Sequence, residues 1–184
     1  MSNAVILVRA AKNIVLAHKT APTGLFALQD AFPDLQGNTV QDGVLSKIAS
    51  STVMPASFQD VWFITDDSPL PKLAREVSQK LGTVALAALD WEGDLLKLWA
   101  FSSGEIAYRY DSNPSYATCT VTSPEQDAPG TLAELFNVPE KSRAIGQLLS
   151  RRKGLGFISE TDRLRQLLEM LGAGKTVQDG VPGK

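Results

Sequence analysis

The feature that most constrains the fold is an almost unbroken apolar run, Thr83-Val-Ala-Leu-Ala-Ala-Leu-Asp90, closed by one acidic residue. Both sets of alternating side chains in this run are apolar, which is typical of a strand covered on both faces. The run is far shorter than the roughly 20 apolar residues that span a bilayer. It therefore predicts the central strand of a sheet.

Two more strands are predicted directly after this run. Leu96, Leu98 and Ala100 alternate along an almost wholly apolar segment, and Ser102-Ser103-Gly104 supplies a hairpin turn. The following segment has one apolar and one polar face and stops at a turn before Pro114, which predicts a strand with one wet face. The residues expected on the wet face are Glu105, Ala107, Arg109 and Asp111.

The N-terminal part of the chain predicts shorter elements. Ala4–Ala10 and Ile14–His18 are interpreted as a β-hairpin, and helices are expected from Thr23 to Phe32 and from Asp42 to Ser50. Val61–Thr65 is rich in aromatic and β-branched residues, which favours a strand. The helix predicted after it begins at Asp67 or Ser68 with a proline in its first turn and ends at Gly82.

The C-terminal part is predicted to be helical. A last strand at 118–122 precedes a proline-rich loop, 123–130, which is the best candidate boundary. Helices follow at 131–136 and 140–152, and a third begins at Ser159 with a capping sequence. The division that results is an α+β sheet domain at 1–122, a helical region at 131–172 packed on it, and a mobile tail at 173–184. One apolar stripe marks the last helix: Leu164, Leu167, Leu168 and Leu171.

Composition limits the class of protein. At 184 residues, 43% of them hydrophobic and 21% charged, the chain is long enough for one sizeable core. The N-terminal apolar run is too short for a signal peptide, and the single cysteine, Cys119, fits a reducing compartment. We expect a cytoplasmic protein without a membrane segment.

The motif search argues against several enzyme classes. Gly172-Ala-Gly-Lys-Thr176 imitates the end of a P-loop, but Glu169 stands where that motif requires its first glycine. His18 is the only histidine, and no Cys/His grouping has zinc spacing. The hexapeptide Thr39–Val44 recurs at Thr176–Val181, which we interpret as coincidence in a turn-forming segment.

Charge is distributed unevenly along the chain. Residues 141–165 contain seven basic and two acidic residues, a local charge of +5, and the rest of the chain carries −7. Cations at a helix C-terminus account for part of the basic segment, and an anionic partner is the alternative interpretation. The overall charge of −2 argues against general affinity for nucleic acid.

Acidic residues follow several of the predicted strands. If the helix at 69–81 connects two parallel strands, those strands end at the same edge of the sheet, where the later hairpin also begins. The residues expected at this edge are Asp66, Asp67, Asp90, Trp91, Glu92, Asp94, Asp111 and Tyr116. Gathered carboxylates repel one another, which raises some pKa values or recruits Mg²⁺ or Ca²⁺. The alternatives are that these acids only cap turns and helices, or that the edge recognises a basic or polar partner.

Three segments carry a resemblance to a known family. The first is Leu86–Tyr116, which ends in Tyr-x-Tyr-Asp-Ser-Asn-Pro-x-Tyr, and the others are Leu132-Ala-Glu-Leu-Phe136 and Phe157–Gly172. With these segments the chain resembles a family of uncharacterised bacterial proteins over roughly half its length. Asp90 and Asp94 are further apart here than the acidic pair expected in that family. The resemblance implies the domain boundaries and no catalytic residue.

These observations predict an α+β protein. We expect a mainly antiparallel sheet of about five to seven strands with one βαβ crossover, helices on one side and a helical C-terminal region. The leading functional hypothesis is a non-enzymatic module, without a cofactor, that binds a protein or a small polar ligand. The alternative is a divalent-metal-dependent hydrolase or metal-binding protein that uses the carboxylates.

Overall fold

The computed structural model describes residues 2–9, 36–41, 44–48, 61, 64–116, 124–150 and 158–173. Seven strands form one sheet in the order β2-β3-β1-β4-β5-β6-β7. Every strand pair in the described residues is antiparallel. The strands are β1 Asn3–Arg9, β2 Gln36–Gln41, β3 Val44–Ile48, β4 Val84–Trp91, β5 Leu95–Ser102, β6 Glu105–Asp111 and β7 Glu125–Gln126.

Four α-helices of the described residues, besides the helical residue Val61, accompany the sheet. They are α1 Pro69–Leu81, α2 Pro129–Leu135, α3 Ser142–Ser150 and α4 Glu160–Met170, with a short 3-10 helix at Pro139–Lys141. Among the described residues, none of the helices has the length and apolar character required to cross a membrane.

The two faces of β4 belong to two different cores. Leu86 and Ala88 lie in a core with β1, β5, β6 and the helices α2, α3 and α4. Ala85, Ala87 and Leu89 lie in a second core, which α1 completes with Leu70, Ala74 and Val77. Helices therefore cover both sides of the central strand, as its unbroken apolar sequence requires.

The helix α1 has the ends that its sequence predicts. Its first residue is Pro69, which follows Ser68 in an extended conformation. Gly82 closes the helix in the left-handed region, at φ 59°, where a residue without Cβ is favoured. The chain then enters β4, so that α1 runs antiparallel to the strand on which it packs.

On the other face, α4 is capped by Ser159, whose Oγ accepts the backbone N–H of Asp162 at 3.1 Å. The leucine stripe predicted for this helix is buried in the core. Beside the stripe, Arg163 and Glu160 form a buried ion pair with 3.0 Å between Nε and Oε2. Arg163 also donates to the Tyr110 hydroxyl at 2.7 Å, which ties α4 to β6.

The α+β class, the antiparallel sheet and the helical C-terminal region are confirmed, but two details of the predicted fold are wrong. The βαβ crossover is absent from the described residues, because Val61 is helical and 64–65 are not in a strand. Helices also lie on both sides of the sheet rather than on one.

Local predictions have mixed outcomes. The helix expected at 42–50 is wrong, because Val44–Ile48 forms β3 and pairs with β1 and β2. The loop expected at 123–130 contains β7, which extends the sheet beyond residue 122. Ala173, expected in the tail, is buried in the core. The predictions for 10–35, 117–123 and 174–184 lie outside the described residues, as do His18, Cys119 and the second copy of the hexapeptide.

Candidate functional site

The antiparallel order of β4, β5 and β6 brings four of the predicted acids to one end of the sheet, and these are Asp90, Glu92, Asp94 and Asp111. β4 ends where β5 begins, with Trp91 opposite Leu95, and β6 ends beside the start of β5, with Asp111 opposite Lys97. Asp90 and Asp111 nevertheless belong to opposite faces of the sheet. Asp90 lies on the side of α4, where Thr161 contacts it, and Asp111 lies on the side of α1.

Asp90 is fully buried and acts as an anchor for three segments. Its carboxylate accepts hydrogen bonds from Asn3 Nδ2 at 2.8 Å, from the Gly93 backbone N–H at 2.9 Å and from Thr161 Oγ1 at 2.7 Å. These bonds join β1, the β4–β5 turn and α4. A buried carboxylate with three donors is satisfied by the fold itself, which makes it a structural group.

In the turn after Asp90, the acidic side chains face solvent, whereas Trp91 packs in an apolar cluster. Glu92 and Asp94 are exposed, and the Asp94 backbone N–H donates to Trp91 O at 2.9 Å. Trp91 is only 8% exposed, and it packs with Val61, Leu95 and Tyr116 in a small apolar cluster. The structure therefore brings Trp91 and Tyr116 together by packing, and Trp91 offers little surface to a partner.

The two acids before α1 have different surroundings. Asp67 is exposed and pairs with Arg75 on α1 at 3.1 Å. Asp66 extends toward β6, where Arg109 donates two hydrogen bonds to its Oδ2, from Nε at 3.1 Å and from Nη2 at 2.5 Å. This second pair connects the segment before α1 to the strand β6.

Asp66 and Asp111 line the same open cleft on the α1 side of the sheet. The cleft has a volume of about 620 Å³ and is formed by residues 64–66, 97–99, 109–111 and 124–127. Its floor is made by β5 and β6, whose opposite faces are sealed in the core with α4. A volume in this range matches the clefts that hold small molecules, roughly 300–1,000 Å³.

The first ion pair of the cleft is Asp66–Arg109. The hydrogen bonds from Arg109 lower the pKa of Asp66, against the opposing effect of partial burial, and a hydrogen bond from the Trp99 side chain lowers it further. The same bond raises the pKa of Arg109. Both groups are therefore charged at neutral pH.

The second ion pair, Lys97–Asp111, lies beside the first on the same face. Lys97 Nζ is 3.1 Å from Asp111 Oδ2, and the two side chains are 17% and 21% exposed. The β7 region forms one side of the cleft, and there Asp127 Oδ2 accepts the backbone N–H of Arg109 at 2.7 Å. The cleft thus presents fixed cations and fixed carboxylates on three neighbouring strands.

This arrangement differs from the one expected of gathered carboxylates. Asp66 and Asp111 are each met by a cation, and the pKa of Asp66 is lowered instead of raised. In the part of the chain that the structure describes, no three residues among His, Cys, Asp and Glu are grouped as a metal ion would require. Asp66 and Asp111 are therefore arranged for ion pairing.

Sequence reasoning missed the cations that make this site. Lys97 is the only charged residue of β5, and Arg109 lies on the face of β6 predicted to be wet. A lone charge in an apolar strand, directly opposite an acid on the next strand, is the signal that could have identified the pair. The sequence predicts a loop at Glu125 and Asp127, because a two-residue strand gives no periodic pattern.

Comparison with known protein families, with curated proteins and with solved structures found no match. The resemblance to a bacterial family accordingly stays a prediction.

Proposed function

We propose that the protein is a cytosolic, non-enzymatic binding module that holds a small polar ligand in the cleft between the Asp66 segment, β5, β6 and β7. The proposal rests on two ion pairs, Asp66–Arg109 and Lys97–Asp111, which lie side by side in an open cleft of about 620 Å³. Ion pairs in this position present hydrogen-bond donors and acceptors of fixed geometry, which is how polar groups give a ligand site its orientation and specificity.

Rigidity of the floor supports the same proposal. Trp99 is almost buried between α1 and the sheet, and Tyr110 is buried on the opposite face, where its hydroxyl donates to Leu149 O at 3.0 Å. The charged residues of the cleft are neighbours of these fixed side chains along β5 and β6. A site on such strands is pre-organised, which reduces the entropy lost when a ligand binds.

The test is a thermal-shift panel of small polar metabolites, because a ligand of the native state raises its melting temperature by mass action. Each compound that stabilises the wild-type protein is tested again with Arg109→Gln. The control is Arg165→Gln, which removes a half-buried arginine on α4 that forms two ion pairs outside the cleft.

We expect the Arg109→Gln substitution to abolish the shift and Arg165→Gln to retain it. Equal shifts in the two variants would place binding outside the cleft and contradict the proposal. A panel without any stabilising compound would also count against it.

The alternative, a divalent-metal-dependent hydrolase or metal-binding protein, is less well supported by the surroundings of its acids. A metal ion at Asp66 or Asp111 must displace Arg109 or Lys97, which already neutralise these carboxylates. Titration of Mg²⁺ and Ca²⁺ by calorimetry tests this alternative. Binding that is lost in an Asp66→Asn, Asp111→Asn double variant would favour it over the polar-ligand module.

A further inference from the structure

The charges that line the cleft define the class of ligand more narrowly. We propose that the ligand is a dipolar molecule with a net positive charge, a carboxylate at one end and a cationic group at the other, as in a basic amino acid. This inference rests on the proposed function, since it concerns the same cleft.

The lining of the cleft has an excess of negative charge. Four carboxylates and two cations line the cleft, which gives a net charge of −2. The two cations, Lys97 and Arg109, are paired with Asp111 and Asp66. The excess lies on Glu125 and Asp127, which are exposed. Among the described cations Arg109 interacts electrostatically with Asp127, but its guanidinium is already bonded to Asp66. A ligand therefore gains most by bringing a positive charge to the β7 side of the cleft.

On the β5 and β6 side of the cleft, the cationic side chains keep hydrogen-bond donors that the ion pairs do not use. Arg109 commits Nε and Nη2 to Asp66, and within the described residues its Nη1 has no acceptor. Lys97 commits its ammonium group to one oxygen of Asp111 and retains further N–H groups. Lys97 and Arg109 are diagonal neighbours on one face, because Lys97 lies opposite Asp111 and Arg109 is two residues before it.

Such diagonal neighbours are about 7–8 Å apart along the sheet, and long side chains reach across that distance. Two donors so placed suit an acceptor with two oxygens, which a carboxylate provides.

Neither half of the cleft suits a simple ion alone. A purely anionic ligand would meet cations that are already neutralised and would lie beside two unbalanced carboxylates. A cation without acceptor atoms would leave the Arg109 Nη1 donors unused. The donors lie on β5 and β6, and the two excess carboxylates belong to Glu125 on β7 and to Asp127 directly after it. Glu125 is directly opposite Asp111. Neighbouring strands are about 4.8 Å apart, so one small dipolar molecule can contact both groups.

The experiment uses the full chain and four probes: L-arginine, L-lysine, L-glutamate, and agmatine, which is arginine without its carboxylate. Binding is followed by calorimetry and by the NMR signal of the Trp99 indole N–H. We expect arginine and lysine to bind in the micromolar to millimolar range, agmatine about tenfold more weakly because it lacks the carboxylate, and glutamate not at all up to about 10 mM. Added salt should weaken the binding, since the contacts are largely between exposed charges.

Variants locate the cationic end of the ligand. Glu125→Gln should weaken arginine binding about fivefold or more, because it removes one of the two unbalanced carboxylates. Glu134→Gln is the matched control, since Glu134 is an exposed glutamate on α2 outside the cleft, and should leave the affinity unchanged.

The outcomes separate this inference from the proposed function. If glutamate binds as well as arginine, or if neutral metabolites bind in the cleft and arginine and lysine do not, the inference is overturned while the binding module stands. Arginine binding that survives Glu125→Gln and is lost in Arg109→Gln would also overturn it, since the cationic end would then have no role. If no compound binds in the cleft, both proposals fail.

Discussion

Replacing Asp90 with alanine tests whether this residue is an anchor of the fold or part of a binding surface. The substitution removes the only acceptor that the structure shows for Asn3 Nδ2 and Thr161 Oγ1, and it also leaves the Gly93 N–H without its partner. A hydrogen bond to a charged group contributes about 1.5–3 kcal/mol, so three of them at the lower limit amount to about 4–5 kcal/mol.

Two effects reduce that figure. The three donors are only partly buried, so water can reach some of them after the substitution. Burial of the carboxylate also has a desolvation cost that alanine does not incur. We therefore expect Asp90→Ala to lower the free energy of unfolding by about 3 kcal/mol, or the melting temperature by about 6–12 °C in a chain of this size.

The assay is urea denaturation of Asp90→Ala and Asp90→Asn beside Asp94→Asn. Asn keeps the size of the side chain and one acceptor oxygen, so Asp90→Asn should cost less, about 1–2 kcal/mol. Asp94→Asn lies in the same turn and is exposed, and its effect should stay within about 0.5 kcal/mol. A loss below about 1 kcal/mol for Asp90→Ala, with an unchanged m-value, would show that Asp90 does not anchor the fold and would favour a role in binding.

The remaining predictions concern α4 and the cleft. Leu168→Ala should cost about 2–4 kcal/mol in chemical denaturation, because Leu168 is 2% exposed in the core, and a change below about 0.5 kcal/mol would mean that this face is free. Arg163→Ala should cost about 3–5 kcal/mol by the same measurement, because it removes the guanidinium from its buried ion pair with Glu160 and from its hydrogen bond to the Tyr110 hydroxyl, and a loss no larger than that of an exposed arginine would contradict this. Asp66→Asn should cost less than about 1 kcal/mol at neutral pH, since Arg109 is 52% exposed. The pKa of Asp66 is lowered on folding. The extra free energy of unfolding of the wild-type protein over Asp66→Asn should therefore be present above the ordinary aspartate pKa and vanish as the pH falls through the lowered value. A stability difference that grows in acid would contradict stabilisation by the Asp66–Arg109 pair.

The sequence of β4 already indicates that helices cover both faces of the sheet, although the predicted fold has them on one face. An apolar run on both faces already required cover on both sides, whereas the fold class placed the helices on one side. The C-terminal helices and α1 each have a clear apolar stripe, and two stripes separated by four strands along the chain suit opposite faces of one sheet. The error lay in combining correct local predictions.

Other errors arose because local composition did not decide the structure. Val44–Ile48 has five residues, too few to distinguish a helical from a strand period, and its pairing with β1 and β2 makes it a strand. Val61 belongs to a stretch with high strand propensity, yet it is helical and buried against Trp91 and Leu95. Tertiary contacts of this kind override propensity and cannot be seen in the sequence.

The candidate site was predictable only in part, for a physical reason. The end of the sheet at which Asp90, Asp94 and Asp111 lie follows from chain direction in an antiparallel meander, and this part of the reasoning agrees with the register. Their roles depend on which face each side chain takes and on the partner that it meets there. Asp90 meets neutral donors in the core, and Asp111 meets Lys97 in the cleft.

The position of the cleft follows from the extent of α1. This helix begins at Pro69 and packs on β1, β4 and β5 through Leu70, Ala74 and Val77, so it leaves the β6–β7 side of that face open. On the opposite face of β6, Tyr108 and Tyr110 are sealed by the C-terminal helices, and burial raises the pKa of the Tyr110 hydroxyl.

One strand is therefore core on one face and cleft on the other. Because the charged residues of the cleft contribute little to the core, substitutions at Arg109 or Glu125 should change ligand binding with little loss of stability, whereas substitutions on the other face of β6 should do the reverse. Such a separation lets the cleft change its ligand without changing the fold, which is the behaviour expected of a binding site built on a stable sheet.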